Sequence, residues 1–208
     1  QAAPADLAKA TTAIFYSISN TQTGLRGVSF GNSLIKHVVE TLQTEFPRLR
    51  TFATLSPIPG FRAWLGKNAG TLLQQLPDKL RTELGRALQA DAPQAAQLVS
   101  VVETADKAQA LDAKSPVRQV LLHCAAHYLG RALHEGKPID PVARFHLGNG
   151  ARVERLNWAG DPSSKGLKQS FGLMVNYLYD LKRLDKHRTQ LAQGQVPVSK
   201  EISALLLD

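Results

Sequence analysis

Between Thr12 and Ser56 three kinds of residue pattern follow one another in an order that few folds accommodate. Thr12-Ala-Ile-Phe-Tyr-Ser-Ile-Ser19 is β-branched and aromatic, with apolar residues of both parities, the pattern of a strand covered on both faces. Asn20–Asn32 comes next, punctuated by Gly24, Gly27 and Gly31. Phe30, Leu34, Ile35, Val38, Val39, Leu42 and Phe46 then recur at helical spacing, and Pro47 closes the run. Arg50–Ser56 reads as a second strand that enters the loop Pro57-Ile-Pro-Gly-Phe61. A crossover of this length makes two strands parallel, with a right-handed connection. The glycine loop and Ser56 are therefore expected on one edge of a sheet, where open α/β sheets bind ligands.

The rest of the chain alternates in the same way. From Ala63 to about Leu133 the pattern is helical: Leu72, Leu73, Leu76, Leu80, Leu84 and Leu88 form an amphipathic segment broken by Pro77. Gln94–Ala105 forms another, and Val117–Leu133 is the most apolar. Val142–Leu147 and Ala151–Trp158 flank Gly148-Asn-Gly150 and read as a hairpin. Leu167–Leu184 returns to a helical rhythm, with Asn176-Tyr177 equally compatible with a strand, and Ile202–Leu207 closes a polar tail as a short helix. The expected fold class is α/β (α+β), a sheet flanked by helices with a helical insertion at about 63–133, and the length fits one domain spanning 1–208 with satellites, or two small ones.

Composition narrows the function classes. With 208 residues, 43% of them hydrophobic, the chain can bury a sizeable core. It contains no apolar run of about 18 residues, so no membrane partner is expected. Gln1 in first place, with no leader pattern after it, suggests a processed or truncated start. Cys124 is the single cysteine, which excludes an internal disulfide framework and a multi-cysteine zinc site and points to a reducing compartment, the cytoplasm. His123 and His127 share a helix face at a spacing that can hold zinc, but their apolar surroundings favour a structural role and no metal is expected. The net charge of +8 suits an acidic partner. Lys and Arg are scattered, and the basic tract around Lys182–Arg188 reads as a solvated helix face. With no stacking aromatics among clustered cations, no nucleic acid is expected as a partner.

Two features point to chemistry. A glycine-punctuated turn between strand and helix presents backbone N–H groups to an anion, and this one carries Arg26. It matches neither the dinucleotide fingerprint nor the lysine-containing nucleotide loop, and an ordinary strand-to-helix turn has the same pattern. Ser56 stands at a strand end in a frame stiffened by Pro57 and Pro59. Taken alone, a serine before proline is a turn-former and His146 a core histidine.

Thr11–Ser19, Gly24-Leu-Arg-Gly-Val28, Leu55-Ser-Pro-Ile-Pro-Gly-Phe61, Asp140–Gly150 with Phe145-His-Leu147 at its centre, Leu156-Asn-Trp158 and Gly172–Tyr179 occur in that order. Together they resemble the malonyl-CoA decarboxylases, from about Thr11 to Asp180, with weak similarity between Trp64 and Val117. The resemblance implies a catalytic domain like the GNAT acyltransferases, entered at its fourth strand and without the family's N-terminal helical domain and first strands. It implies Ser56 and His146 as the catalytic serine and histidine and Tyr179 as an active-site tyrosine. Arg26, Gly27, Val28, Ser29, Phe30, Gly31 and Asn32 resemble the loop that holds the CoA pyrophosphate. Family members can carry an acid where this chain has Ser29. The implied partner is malonyl-CoA, with self-association into a homo-oligomer. No cofactor is implied, coenzyme A being part of the substrate. An acyl-CoA N-acyltransferase on the same fold is the alternative; the serine–proline heptamer and the histidine block speak against it.

Overall fold

The structure, a computed structural model, describes residues 9–16, 31–91 and 93–206, with the backbone alone at 31–34 and 95. The β-branched and aromatic residues Thr12–Phe15 form strand β1, and the helical rhythm after the glycine loop forms α1, Gly31–Glu45. Strands β2, Thr51–Thr54, and β3, Ser56–Pro57, follow. A helical stretch comes next: α2, Phe61–Gln75; α3, Asp78–Leu88; α4, Ala95–Val101; α5, Ala105–Ala110; and α6, Pro116–Gly130. Pro77 separates α2 from α3, as its missing N–H requires. A two-stranded ribbon of β4, Leu133–His134, and β5, Lys137–Pro138, leads into α7, Pro141–Gly148. The chain ends with β6, Arg152–Asn157; α8, Ser164–Ser170; β7, Met174–Leu178; α9, Leu184–Ala192; and α10, Lys200–Leu205.

As the crossover predicts, β1 and β2 are parallel, Thr12 opposite Thr51 and Phe15 opposite Thr54. β7 runs antiparallel to both β2 and β3, and β6 runs antiparallel to β7 on its other side. Ala53 faces Leu178 and Ser56 faces Val175, so β2 and β3 are one strand in constant register, opened locally at Thr54–Leu55. There side chains replace ladder bonds: the Asn176 amide donates to the Thr54 carbonyl at 2.6 Å, and the Tyr177 N–H donates to Thr54 Oγ1 at 3.2 Å. The segment before α10 covers β6. Pro197 accepts from the Val153 N–H, and Ser199 Oγ donates to the Glu154 carbonyl exposed by a register shift in β6.

Two expectations are corrected. Among the described residues β1 is an edge strand: Ala13 and Phe15 are half-buried, whereas Ile14 on the other face is 46% exposed. The mixed parity suggested two covered faces, and the described residues place a core behind one of them. Val142–Leu147 is helical, within α7, and forms no hairpin with β6. Asp140 caps its N-terminus and Pro141 occupies the first position, a pair that starts helices. Ala143, His146 and Leu147 are buried at helical spacing, and Gly148-Asn-Gly150 ends the helix, with φ of +87° at Gly150. Between Leu167 and Leu184 both readings apply in turn, α8 and then β7 through Asn176-Tyr177.

The core lies between the sheet and the helices. α6 buries Val117, Val120, Leu121, Cys124, Ala125 and Leu129, and burial pushes the Cys124 thiol up to about 12, leaving it uncharged. His123 donates through Nδ1 to the Leu205 carbonyl at 2.8 Å, and His127 stacks on Trp64. Among the described residues no group of three His, Cys, Asp or Glu side chains is arranged to hold a metal. Among them, too, no helix is long and apolar enough to cross a membrane.

Candidate active site

The opened segment of the sheet holds Ser56 beside α7. Ser56 and His146 are 5% and 4% exposed, and Ser56 Oγ lies 3.3 Å from His146 Nε2 across 90 residues of sequence. His146 Nδ1 lies 2.7 Å from the Tyr179 hydroxyl, just beyond β7. Ser56 Oγ also reaches Thr54 Oγ1 at 2.8 Å. One arrangement of protons serves the imidazole and both hydroxyls that flank it. Tyr179 donates to Nδ1, Nε2–H donates to Ser56, and Ser56 donates to Thr54. The face of the imidazole packs on the Tyr177 ring, centroids 4.7 Å apart and planes inclined by 24°.

Burial lowers the His146 pKa from the ordinary 6.5 to about 4, so the resting imidazole is neutral. Burial likewise raises the Tyr179 phenol, which stays a donor at neutral pH. His146 stands in the last turn of α7, where the helix dipole favours a positive imidazole by up to about 1 kcal/mol. The resting site is thus poised against protonation, with a modest bias that a nearby negative charge can reinforce.

The linkage to stability has a definite sign. The folded chain keeps this imidazole neutral down to about pH 4, whereas the unfolded chain takes up its proton near 6.5. The resulting stabilisation of about 3 kcal/mol is complete above pH 6.5 and lost as pH falls to 4. Urea unfolding at pH 7 and pH 4 is expected to show a difference that His146→Asn reduces by about that amount. Equal losses in the two proteins would place no titration at this residue.

A cavity of about 380 Å³ opens onto the pair, lined by Ser56 and His146 with Phe15, Tyr16, Leu55, Pro57, Pro141, Val142 and Phe145. The described residues that line it include neither Lys nor Arg. Behind the site Asp140 is buried. Its Oδ1 accepts from the N–H groups of Val142 and Ala143, each at 2.9 Å. The Tyr128 hydroxyl approaches Oδ2 at 3.4 Å. A methyl group on Gly60 would lie 2.4 Å from that hydroxyl, so only glycine fits there.

The structure thus brings Ser56, His146 and Tyr179 together, as the sequence led us to expect. Arg26, Gly27, Val28, Ser29 and Phe30 lie outside the described residues. Gly31 and Asn32 open α1, and Phe15 and Tyr16, at the end of β1, line the cavity. Sequence reasoning missed Thr54, Asp140, Tyr128 and Tyr177. Thr54 was signalled by period 2, since it shares a strand face with Ser56, and Asp140 by the Asp-Pro helix start.

Comparison with known proteins places the chain in a family. The profile of the family described as malonyl-CoA decarboxylase C-terminal domain matches residues 1–208. The chain belongs to that family. The goose (Anser anser anser) protein named mitochondrial malonyl-CoA decarboxylase is 42% identical over 184 residues, 85% of this chain and 36% of its own length. The crystal structure of malonyl-CoA decarboxylase from Cupriavidus metallidurans is 47% identical with a TM-score of 0.82, covering 94% of this chain and 48% of that one. The enzyme of the same name from Rhodopseudomonas palustris is 44% identical with a TM-score of 0.73, covering 95% and 43%. The chain spans less than half the length of those relatives.

Proposed function

We propose that this domain is the catalytic portion of a malonyl-CoA decarboxylase, releasing CO2 from a malonyl thioester and protonating the enolate that remains. The observation that carries the reading is the buried convergence of Ser56, His146 and Tyr179 beside an apolar cavity. In this reading the sheet is GNAT-like and Arg26–Asn32 holds the CoA pyrophosphate. The lone buried thiol suits a reducing compartment, the cytoplasm, and the protein assembles as a homo-oligomer.

The substrate carboxylate enters a cavity that offers it little compensation for lost water, which favours departure as neutral CO2. As the carbon–carbon bond breaks, its electron pair moves into the thioester carbonyl and forms an enolate. Ser56 hydrogen-bonds the malonyl group and the imidazole. The negative substrate draws a proton from solvent onto His146, adding to the bias of the α7 terminus. The imidazolium gives that proton to the α-carbon and returns to its neutral resting form. One proton is consumed for each CO2 and acetyl thioester formed. The thioester itself accepts the electron pair, so the scheme uses no metal or organic cofactor.

Incubating the full-length protein with malonyl-CoA alone is expected to yield CO2 and acetyl-CoA in equal amounts. An acyltransferase on the same fold would need an amine acceptor. Acyl transfer to an added amine, with no CO2 formed in its absence, would replace this reading.

A further inference from the structure

Thr54 is 1% exposed, and the chemistry proposed above gives it no part. β7 holds it at two points where the strand opens. The Asn176 amide donates to its carbonyl at 2.6 Å, and Asn157 in turn donates to Asn176 Oδ1 at 2.9 Å. The Tyr177 N–H donates to its Oγ1 at 3.2 Å. Those bonds alone would complete the strand. Ser56 follows two residues later on the same strand face, and its Oγ meets the same Thr54 oxygen at 2.8 Å. The serine hydroxyl is thus held between two buried groups, Thr54 Oγ1 on one side and His146 Nε2, at 3.3 Å, on the other.

A hydroxyl carries one proton, so Ser56 donates to one of these neighbours and not to both. The far side of the imidazole decides which. Tyr179 reaches His146 Nδ1 at 2.7 Å, and a phenol is a better donor and a poorer acceptor than an alcohol. Tyr179 therefore donates to Nδ1, the imidazole proton rests on Nε2, and Ser56 accepts it while donating to Thr54. A backbone N–H can only donate, so Tyr177 pins the Thr54 oxygen in place as an acceptor. The geometry points to Thr54 as the positioning residue of the serine: its oxygen, anchored by Tyr177, takes the Ser56 proton and so turns the serine lone pairs to the His146 Nε2–H. This role rests on the decarboxylase reading of the pair and adds a residue to it. The resting imidazole and the imidazolium then both meet an oxygen ready to accept. Without Thr54 as acceptor the serine turns its proton onto Nε2, and the imidazole keeps its own on Nδ1.

Thr54→Val and Thr54→Cys fill much the same space without a strong acceptor, whereas Thr54→Ser keeps the hydroxyl. Thr54→Cys leaves the Tyr177 N–H a weak partner, so it reports even where Thr54→Val does not fold. The direct readout is the position of the His146 proton, read by solid-state nitrogen NMR on full-length protein isotope-labelled at histidine. Near neutral pH the imidazole is uncharged, and its signals are those lost in His146→Asn. The ratio of Nε2–H to Nδ1–H forms is expected to fall about tenfold in Thr54→Val and Thr54→Cys, the worth of one hydrogen bond, and to stay near the parent value in Thr54→Ser. In the first two, kcat for malonyl-CoA is expected to fall about tenfold, with KM held within about threefold, and Thr54→Ser is expected to restore it. An unchanged ratio in the folded variants, or an equal shift in Thr54→Ser, overturns the positioning role whatever kcat does. A shifted ratio with unchanged kcat upholds it and removes the proton-donor reading of His146 instead.

Discussion

Full-length protein carrying His146→Asn is expected to decarboxylate malonyl-CoA about 10³-fold more slowly, with KM changed by less than about threefold. Asparagine can still hydrogen-bond Ser56 or Tyr179, so the pocket keeps its shape. What it loses is a group that gains and gives a proton. The enolate then waits for a proton from water instead of from a positioned donor, and that step carries the whole loss. The imidazole stands at the acyl end of the proposed substrate, so binding of the nucleotide end is untouched. Ser56→Ala is expected to lower kcat as well, but by much less in the His146→Asn background than alone, because the two act as one unit. Single-turnover measurement of CO2 release, with CoA binding as the control for folding, decides the matter. Turnover by His146→Asn within tenfold of the parent protein would take the imidazole out of the proton step.

The nearness of His146 to Ser56 and the element that carries His146 were legible to different degrees, for a physical reason. Val-Ala-Arg-Phe-His-Leu is ambiguous over six residues: its apolar positions fit period 2, yet Ala143, His146 and Leu147 also fit one helix face. The deciding signal lay just outside it, in Asp140-Pro141, where a cap and a fixed φ start a helix. The parallel pairing of β1 with β2 was legible because the intervening loop and helix permit little else. That β1 has only one covered face was not, because its composition is the same whether or not a neighbour lies behind it. The approach of residues 54, 56, 146 and 179 depends on β7 inserting beside the opened β2–β3 strand, a pairing set by contacts distant in sequence. Local patterns carry no trace of it. Ser56, His146 and Tyr179 were named through the family resemblance; Thr54 and Asp140 had local signals, but their place beside the pair came only from the coordinates.

The stability of the serine segment rests on Phe61, and Phe61→Ala is expected to cost about 3–5 kcal/mol. The side chain is fully buried at the first position of α2, one residue after Gly60. Its ring meets Phe171 edge-on, centroids 5.8 Å apart at 83°, and Tyr128 at 5.8 Å and 37°. Three segments, the α2 start, α6 and the end of α8, therefore share one aromatic contact. Truncation removes the transfer energy of the ring and leaves a space that backbone stiffened by Pro59 does not close. In a unit of this size the loss corresponds to a fall in Tm of roughly 10 °C. Tyr128→Phe provides the contrast: it deletes a single long hydrogen bond of 3.4 Å, keeps the ring, and is expected to cost less than about 1 kcal/mol. Thermal unfolding of the two variants beside the parent separates packing from polarity in this cluster. A Phe61→Ala protein melting within 3 °C of the parent, about a third of the expected fall, would mean that the segment bearing Ser56 is held by its prolines without the aromatic cluster beneath it.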